Sequence, residues 1–134
     1  MQGKHIIIDG FECDSSHLNN IAYLEKACKK AALDAGMEII SSYFHKFEPQ
    51  GVTGVLVLST SHLSIHTWPE ERYASLDFYT CGNPDLIAPV NFLLKELSIK
   101  NAMIYSIDRG VSHPQLIKCE EITTIDASIG GNPT

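Results

Sequence analysis

Three strand-like runs, separated only by short turns, constrain the fold of this chain more than any other feature of its sequence. They span residues 52–60, 62–68 and 73–80. Two alternating sets make up the middle run: Leu63, Ile65 and Thr67, and His62, Ser64, His66 and Trp68. Because successive side chains of a strand point to opposite faces of a sheet, both histidines lie on the same face. We therefore predict hairpin-like neighbouring strands in the middle of the chain.

Two segments with helical periodicity and three further strand-like runs surround this centre. The further runs span residues 5–11, 37–47 and 101–108. The first helix is predicted to start at N-cap candidates among residues 14–16 and to end at Gly36, a residue that suits the position after a helix C-terminus. The second helix is predicted to start with Asn83 as its N-cap and Pro84 in its first turn.

The order of these elements predicts an α+β fold in a single domain, residues 1–134. Strands separated by two helices, with hairpin neighbours between them, favour a two-layer sandwich: one mainly antiparallel sheet with helices packed on one face. The other face then needs a cover, and apolar or aromatic residues on it would favour a second subunit. We expect the tail from about Lys118 to be loosely ordered.

Composition argues against several classes of function. With 134 residues, 44% of them hydrophobic, the chain can bury about two thirds of its unfolded surface around one core. It has no stretch of about 18 consecutive apolar residues and no signal-peptide pattern, so we expect a soluble cytoplasmic protein without a membrane partner. The net charge of −6 and the scattering of its 10 Lys and Arg residues argue against nucleic acid as a partner.

The four cysteines are expected to be reduced thiols. They show no CxxC pair, and no export signal accompanies them. Cys28 falls on the apolar stripe of the first predicted helix, and Cys13 and Cys119 lie near element ends without an obvious partner group. Cys81 differs because it closes the segment that is richest in chemically reactive side chains.

That segment, from Ser61 to Cys81, allows two generic interpretations. A zinc site of His62, His66 and Cys81 would have competent ligands. On a strand, however, the two histidines would be more than about 13 Å apart, at about 3.3 Å per residue. A hydrolase triad is conceivable, yet no GxSxG elbow surrounds Ser61 or Ser64. We therefore expect neither a metal site nor a serine hydrolase here.

Three ordered and correctly spaced strings of residues carry a family resemblance. They are FHKFEPQGVTG (44–54), SHLSIHTWPE (61–70) and YASLDFYTCG (73–82), with the opening KHIIIDGFECD in register. In these strings the sequence resembles the bacterial and archaeal S-adenosylmethionine decarboxylases of the short, single-repeat type. The resemblance covers most of residues 4–82, and beyond about Asn83 it extends only to the layout of helix and strand.

The resemblance implies that the chain is a proenzyme that cleaves itself. The hydroxyl of Ser61 would attack the carbonyl of Thr60 and convert the peptide bond into an ester, an intramolecular step favoured by proximity. Thr53, in GVTG where the family has GVSG, would supply a hydroxyl for this step, and His66 matches the family base that eliminates the ester. The products would be a β chain of residues 1–60 and an α chain of residues 61–134. A pyruvoyl group made from Ser61 would be the cofactor, and no added cofactor is needed.

The resemblance also implies what the pyruvoyl group does. Its ketone would form a Schiff base with the amino group of S-adenosylmethionine and accept electrons as carbon dioxide leaves, the role that pyridoxal phosphate plays elsewhere. The product would be the aminopropyl donor for spermidine biosynthesis, a polyamine pathway. Cys81 matches the family cysteine that protonates the α-carbon after decarboxylation.

Five residues are candidates for substrate contact by the same resemblance. Phe47 is similar to the family aromatic that stacks on adenine, and Glu70 to the carboxylate that binds the ribose hydroxyls. Leu63 and Trp68 are expected to line the same pocket, and Asp9 stands where the family often has glutamate near the substrate. The resemblance further implies a homodimer of cleaved protomers with active sites near the subunit interface.

One departure from the family pattern leaves alternatives open. The family usually has glutamate before the processing serine, whereas this chain has Thr60, whose β-branched side chain restricts the local geometry. A pyruvoyl-dependent arginine or ornithine decarboxylase on the same fold would carry the same processing residues, but it would not need Phe47 and Glu70. A non-enzymatic regulatory paralogue that never cleaves is favoured by Thr60 alone, and the intact processing and catalytic residues count against it.

Overall fold

One antiparallel sheet of seven strands forms the framework of the protein. The computed structural model describes residues 1–111 and 117–123. The strands are β1 (Gln2–Phe11), β2 (Ile39–Lys46), β3 (Val52–Leu58), β4 (His62–Trp68), β5 (Tyr73–Cys81), β6 (Asn101–Gly110) and β7 (Ile117–Thr123). The helices are α1 (Ser15–Leu18), α2 (Ile21–Asp34) and α3 (Ile87–Glu96), and a short 3-10 helix spans Pro69–Glu71. No helix in these two described ranges is long and apolar enough to cross a membrane.

The strands lie in the order β2, β3, β4, β5, β1, β6, β7, and every neighbouring pair is antiparallel. The strands from β2 to β5 form a continuous meander, as the runs in the middle of the sequence predict. β1 lies between β5 and β6, so that Ile7 is opposite Asp77 on one side and opposite Tyr105 on the other. This insertion brings the start of the chain beside β5.

The hydrophobic core lies between one face of the sheet and the helices. Alternate residues of the strands are buried there, including Ile8, Leu56, Leu63, Ile65, Phe78 and Ile104. The helices contribute Leu24, Cys28, Ala31, Val90, Leu93 and Leu94. Removal of apolar surface from water, at about 25 cal/mol per Å², is the main force that holds the two layers together. The predicted α+β two-layer sandwich is confirmed.

The opposite face of the sheet, called the open face below, has no helix packed on it among the described residues. It carries the other alternating set of strand residues: Thr53, Val55 and Val57 of β3, His62, Ser64, His66 and Trp68 of β4, and Tyr73, Ser75, Asp77 and Tyr79 of β5. Large side chains are exposed there, including Tyr43, Val55, Val57 and Trp68. This is the kind of surface that we associated with a second subunit, and the homodimer stays a prediction.

The first helical segment is two helices rather than one. Asp14 caps α1, and its carboxylate accepts two backbone amide hydrogens. Asn20 then interrupts the segment and caps α2, because its side chain accepts the amide hydrogen of Tyr23. After α2, Gly36 adopts a positive φ of 78°, a conformation that suits glycine and ends the helix as predicted.

The second long helix starts later than predicted. We expected Asn83 as its N-cap and Pro84 in its first turn, but α3 begins at Ile87. Leu86 is the N-cap residue, and no side-chain hydrogen bond caps this helix. The Asp85 carboxylate, one residue earlier, accepts the amide hydrogen of Ile87 at 3.0 Å.

The expectation of a loosely ordered tail from Lys118 is wrong for its first part. Residues 117–123 form β7, which pairs with β6 along its whole length. The segment is ordered because it contributes an apolar side chain to the core: Ile122 is buried there. The rest of the predicted tail, residues 124–134, lies outside the described residues.

Candidate active site

Ser61 lies at the end of a tight hairpin turn. The Leu58 amide donates a hydrogen bond of 3.0 Å to the Ser61 carbonyl, and only Ser59 and Thr60 connect these two residues. Both turn residues are exposed, whereas Ser61 is only 9% exposed. The strand predicted over residues 52–60 therefore ends at Leu58. The bond expected to be cleaved, between Thr60 and Ser61, is the last bond of the turn.

Cys81 is the residue of β5 that lies closest to this turn. Its backbone amide donates a hydrogen bond of 3.1 Å to the Ser61 side-chain oxygen. Cys81 carries a free, half-buried thiol. The structure therefore brings Ser61 and Cys81 together, although they are 20 residues apart in the sequence.

Thr53 and His66 form a second pair, on the open face. They lie opposite each other on β3 and β4, and Thr53 Oγ1 and His66 Nδ1 share a hydrogen bond of 2.9 Å. The residue after Thr53 is a glycine, Gly54, because a larger side chain there would collide with the ring of Phe44. The GVTG string thus holds a hydroxyl beside the predicted base.

The two pairs lie at opposite ends of β4. His62 and His66 are four residues apart on an extended strand, about 13 Å at about 3.3 Å per residue, and Ser61 lies one residue further away. His66 therefore cannot contact Ser61 of the same chain. The family resemblance assigned Ser61 and His66 to one processing site, but a single chain does not bring the two side chains together.

Three of the candidate substrate-binding residues lie near the His66 end of the sheet. Phe47 follows β2, is 47% exposed and packs edge-on against the His45 ring at 4.6 Å. Trp68 ends β4, is 40% exposed, and its ring centroid is 6.4 Å from that of His66. Glu70 is exposed in the 3-10 helix that follows. Aromatic and acidic groups that suit adenosine are thus grouped around His66 rather than around Ser61.

Asp9 also lies at the His66 end of the sheet, and its carboxylate already accepts a hydrogen bond within the chain. It stands on β1 opposite Ser75 of β5, and Ser75 in turn is opposite His66. The Asp9 carboxylate accepts a hydrogen bond of 2.6 Å from the Tyr73 hydroxyl. Burial, together with this hydrogen bond, raises the pKa of Tyr73. The Tyr73 hydroxyl therefore keeps its proton and holds Asp9 in place.

The prediction that Leu63 lines the substrate pocket is wrong. Its side chain is 1% exposed and belongs to the core on the helix side of the sheet. The reason is the alternation of β4, which directs Leu63 away from the open face that carries its neighbours His62 and Ser64. In this structure Leu63 supports the strand and does not line the open face.

A group of polar side chains on the open face was not predicted as a unit. His5 Nε2 lies 2.7 Å and His62 Nε2 lies 2.9 Å from the same oxygen, Oδ2 of Asp77. The Ser64 hydroxyl donates to the other oxygen, Oδ1. Burial opposes ionisation of Asp77, but the hydrogen bonds from Ser64, His62 and His5 outweigh it and hold its pKa below the usual range. We call His5, Asp77 and His62 the histidine-aspartate cluster.

The sequence offered only part of the signal for this cluster. His62 and Asp77 stood out within the segment from Ser61 to Cys81, and the alternation of β1 directs His5 to the same face as Asp9. The nearness of His5 to Asp77 depends on the pairing of β1 with β5, which no local pattern encodes.

Comparison with known proteins decides the family. A family model described as S-adenosylmethionine decarboxylase matches residues 4–110. The chain belongs to this family. The predicted family and enzyme class are therefore confirmed, and the match extends beyond residues 4–82, which carry most of the resemblance in sequence.

Individual relatives agree with the family match. The chain is 40% identical over 120 residues to an S-adenosylmethionine decarboxylase proenzyme of Geobacillus sp. (strain WCH70), covering 90% of this chain and 97% of the relative. It is 44% identical over 112 residues to a protein of the same name from Clostridium kluyveri, covering 81% and 87%.

Solved structures agree as well. The crystal structure of the adenosylmethionine decarboxylase from Aquifex aeolicus matches with a TM-score of 0.77 and 31% identity, covering 85% of this chain and 95% of that one. A Trypanosoma brucei structure of the same enzyme name matches with a TM-score of 0.57 and 15% identity over 79% of this chain and 45% of that one, a likeness of fold alone.

The cysteines of this family member should differ sharply in reactivity. Burial raises the pKa of the Cys13 and Cys28 thiols to about 12, so the reactive thiolate is scarce at mildly alkaline pH, while Cys119 is exposed. We predict that iodoacetamide labels Cys119 of the folded protein and leaves Cys13 and Cys28 unlabelled, as peptide mass spectrometry would show. In guanidinium chloride all four should react. Labelling of Cys28 in the folded protein at the rate of Cys119 would contradict the burial described here.

Proposed function

We propose that this chain is the proenzyme of a pyruvoyl-dependent S-adenosylmethionine decarboxylase, and that it cleaves itself between Thr60 and Ser61. The names of the relatives from Geobacillus and Clostridium support a proenzyme with this activity. The observation that carries the proposal is the contact between the Ser61 hydroxyl and the Cys81 amide beside an exposed two-residue turn. This contact places Ser61, the precursor of the proposed cofactor, next to Cys81, the proposed proton donor.

The first step of processing needs only groups of the turn. The Ser61 hydroxyl attacks the Thr60 carbonyl carbon, the new carbon-oxygen bond forms, and the peptide carbon-nitrogen bond breaks to leave a free amine on an ester. The Cys81 amide and the buried position of Ser61 restrict the hydroxyl before the reaction. A nucleophile held next to its target in this way gains a large effective concentration over a free one.

The second step needs a base. Removal of the proton from the Ser61 α-carbon breaks the ester carbon-oxygen bond, so residue 60 becomes a carboxylate and residue 61 becomes dehydroalanine. Water then replaces its nitrogen, which leaves as ammonia, and the pyruvoyl group remains. A neutral imidazole is suited to the proton removal, and the Thr53 hydroxyl fixes the His66 ring by bonding its Nδ1.

We infer that His66 and Thr53 of one chain serve Ser61 and Cys81 of a second copy. Within a chain the base and the serine are more than about 13 Å apart along β4. The open face carries His66 and also exposes Val55, opposite Ser64, and Val57, opposite His62, a surface that two copies could cover by facing each other. A symmetric dimer would then contain two composite sites, each completed by the other chain.

The same arrangement explains the positions of the substrate-binding candidates. The pyruvoyl group supplies a carbonyl that accepts the electron pair released with carbon dioxide. Phe47 and Trp68 offer aromatic faces for adenine, and the Glu70 carboxylate accepts hydrogen bonds from ribose hydroxyls. These residues lie at the His66 end, so they would bind the adenosine of a substrate whose amino acid end meets Ser61 and Cys81 of the other chain.

After decarboxylation the α-carbon of the substrate needs a proton. The Cys81 thiol is free and half-buried, and its residue already contacts Ser61 through the backbone. The Cys81 thiol is therefore the group that we propose as the proton donor. We infer a cytoplasmic enzyme, because the free thiols of this chain suit a reducing compartment. Its product would supply aminopropyl groups for polyamines.

Self-cleavage is tested by mass spectrometry of the purified protein. We predict that the wild-type chain separates into residues 1–60 and 61–134 with pyruvoyl at residue 61, while Ser61→Ala stays in one piece because it has no hydroxyl to attack. His66→Ala alone should also fail to form the pyruvoyl chain. A stable, uncleaved wild-type chain would favour the non-enzymatic paralogue instead.

The composite site is tested in the same experiment by co-expression of the Ser61→Ala and His66→Ala chains with different tags. In a mixed dimer, intact Ser61 of one chain meets intact His66 of the other. With random pairing, roughly half of the His66→Ala chains should be cleaved, and the Ser61→Ala chains should not. Absence of cleavage in verified mixed dimers would show that His66 acts within its own chain.

The substrate is tested with carboxyl-labelled compounds. We predict that the cleaved protein releases labelled carbon dioxide from S-adenosylmethionine and not from arginine or ornithine, because Phe47 and Glu70 suit adenosine. Glu70→Ala should raise KM for S-adenosylmethionine, whereas Glu71→Ala, a matched control on the same 3-10 helix, should leave it unchanged. Preferred turnover of arginine or ornithine would favour an amino acid decarboxylase on this fold.

The role of Cys81 is tested by separating cleavage from turnover. We predict that Cys81→Ala is cleaved like the wild type but decarboxylates S-adenosylmethionine about 10²–10⁴ times more slowly, the usual cost of losing one general acid. Cys119→Ala is the control, because this exposed thiol lies far along the sheet on β7. Normal turnover by fully cleaved Cys81→Ala would show that another group donates the proton.

A further inference from the structure

The histidine-aspartate cluster is built by three adjacent strands. His62 of β4 and His5 of β1 both lie opposite Tyr79 of β5, so the two imidazoles flank this strand on one row of the open face. Asp77 lies two residues before Tyr79 and reaches both rings diagonally. The three donor atoms, one from each residue of the cluster, all lie within 4.8 Å of one another.

Two imidazoles and one carboxylate form a ligand set that divalent transition metals prefer. Zn²⁺ is commonly held by three protein ligands of this kind with water in a fourth position. Ligands at about 2.1 Å in a tetrahedron are about 3.4 Å apart, whereas the two nitrogens now lie 2.7 and 2.9 Å from the Asp77 oxygen. Small side-chain rotations would open this spacing, and the strands need not move.

The surroundings of the cluster favour this set of donors. The Ser64 hydroxyl engages Oδ1 of Asp77 and leaves Oδ2 facing the two rings, as residues around metal ligands commonly do. In a single chain the His62 side chain is 42% exposed, which gives an ion a path from solvent before two copies meet. Arg109 lies 3.3 Å from Nδ1 of His5 and over the Tyr79 ring. Arg109 is exposed, so it can turn outward when His5 binds a cation through Nε2.

We propose that His5, Asp77 and His62 bind one divalent transition-metal ion, with Zn²⁺ as the ion best suited to the set. The site differs from the zinc set that the sequence allowed, because His66 and Cys81 take no part in it. One consequence rests on the proposed function: His5 belongs to the β chain, and Asp77 and His62 to the α chain. In the cleaved protein the ion would join the two product chains directly beside residue 61.

Metal binding is tested on the uncleaved Ser61→Ala chain and on the wild type, so that the result does not depend on processing. After dialysis against Zn²⁺, elemental analysis should find one ion per chain. Competition titrations should show that His5→Gln, His62→Gln and Asp77→Asn each weaken binding by at least about tenfold, and that Ser64→Ala weakens it by about 10–100-fold. His45→Gln is the matched control, because His45 is exposed on the same face and outside the cluster.

Two further measurements separate binding at this site from other outcomes. Co²⁺ bound to the Ser61→Ala chain should give the intense visible bands of a four- or five-coordinate ion without a thiolate charge-transfer band. Zn²⁺ should raise the Tm of this chain and should not raise that of the His62→Gln variant made in it. Absence of stoichiometric binding, binding unaffected by the three ligand substitutions, or a thiolate band would each overturn the proposal. Binding by a chain that never cleaves would support the metal site while contradicting self-processing.

Discussion

Strand β4 sets the distances on which the rest of the structure depends. Its inner residue Thr67 accepts the Val52 amide hydrogen at 2.9 Å and donates to the Leu18 carbonyl at 2.7 Å, so the strand is tied to β3 and to α1. A slip of one residue would exchange its buried and open faces and break these bonds. Because an extended strand cannot shorten, Ser61 and His66 stay at opposite ends of it. Chemistry that needs both groups would therefore have to bring two copies together, as proposed above.

The insertion of β1 has a related effect on the cleaved protein. A cut after Thr60 would divide the sheet into β1, β2 and β3 on one product chain and β4 to β7 on the other. The chains would alternate across the sheet, because β3 pairs with β4 while β1 lies between β5 and β6. Three hydrogen-bonded ladders and the shared core would hold the products together. The fold can thus tolerate a break in the turn without losing its register, which self-processing requires.

Local patterns in the sequence predicted β4 and its two faces, but not the pairing of strands that are distant in the sequence. The alternation around His66 gave the bounds and the open face of β4, and the same alternation already directs Leu63 into the core, so its assignment to the pocket neglected an available signal. The contact of His5 with Asp77 had no such signal, since it depends on β1 crossing to the far side of β5. The resemblance identified processing residues one by one, but their separation along β4 became visible only when the strand register was known.

The same geometry bears on Thr60, which stands directly before the proposed processing serine. Its side chain is exposed at the tip of the turn, whereas Ser61 beside it is buried and bonded to Cys81. Only the carbonyl of residue 60 would take part in the proposed acyl shift, so the side chain there would act through the conformation of the turn. A β-branched residue narrows the backbone conformations of a two-residue turn. Threonine in place of glutamate would therefore change how often the attack geometry is reached and would leave the reacting groups unaltered.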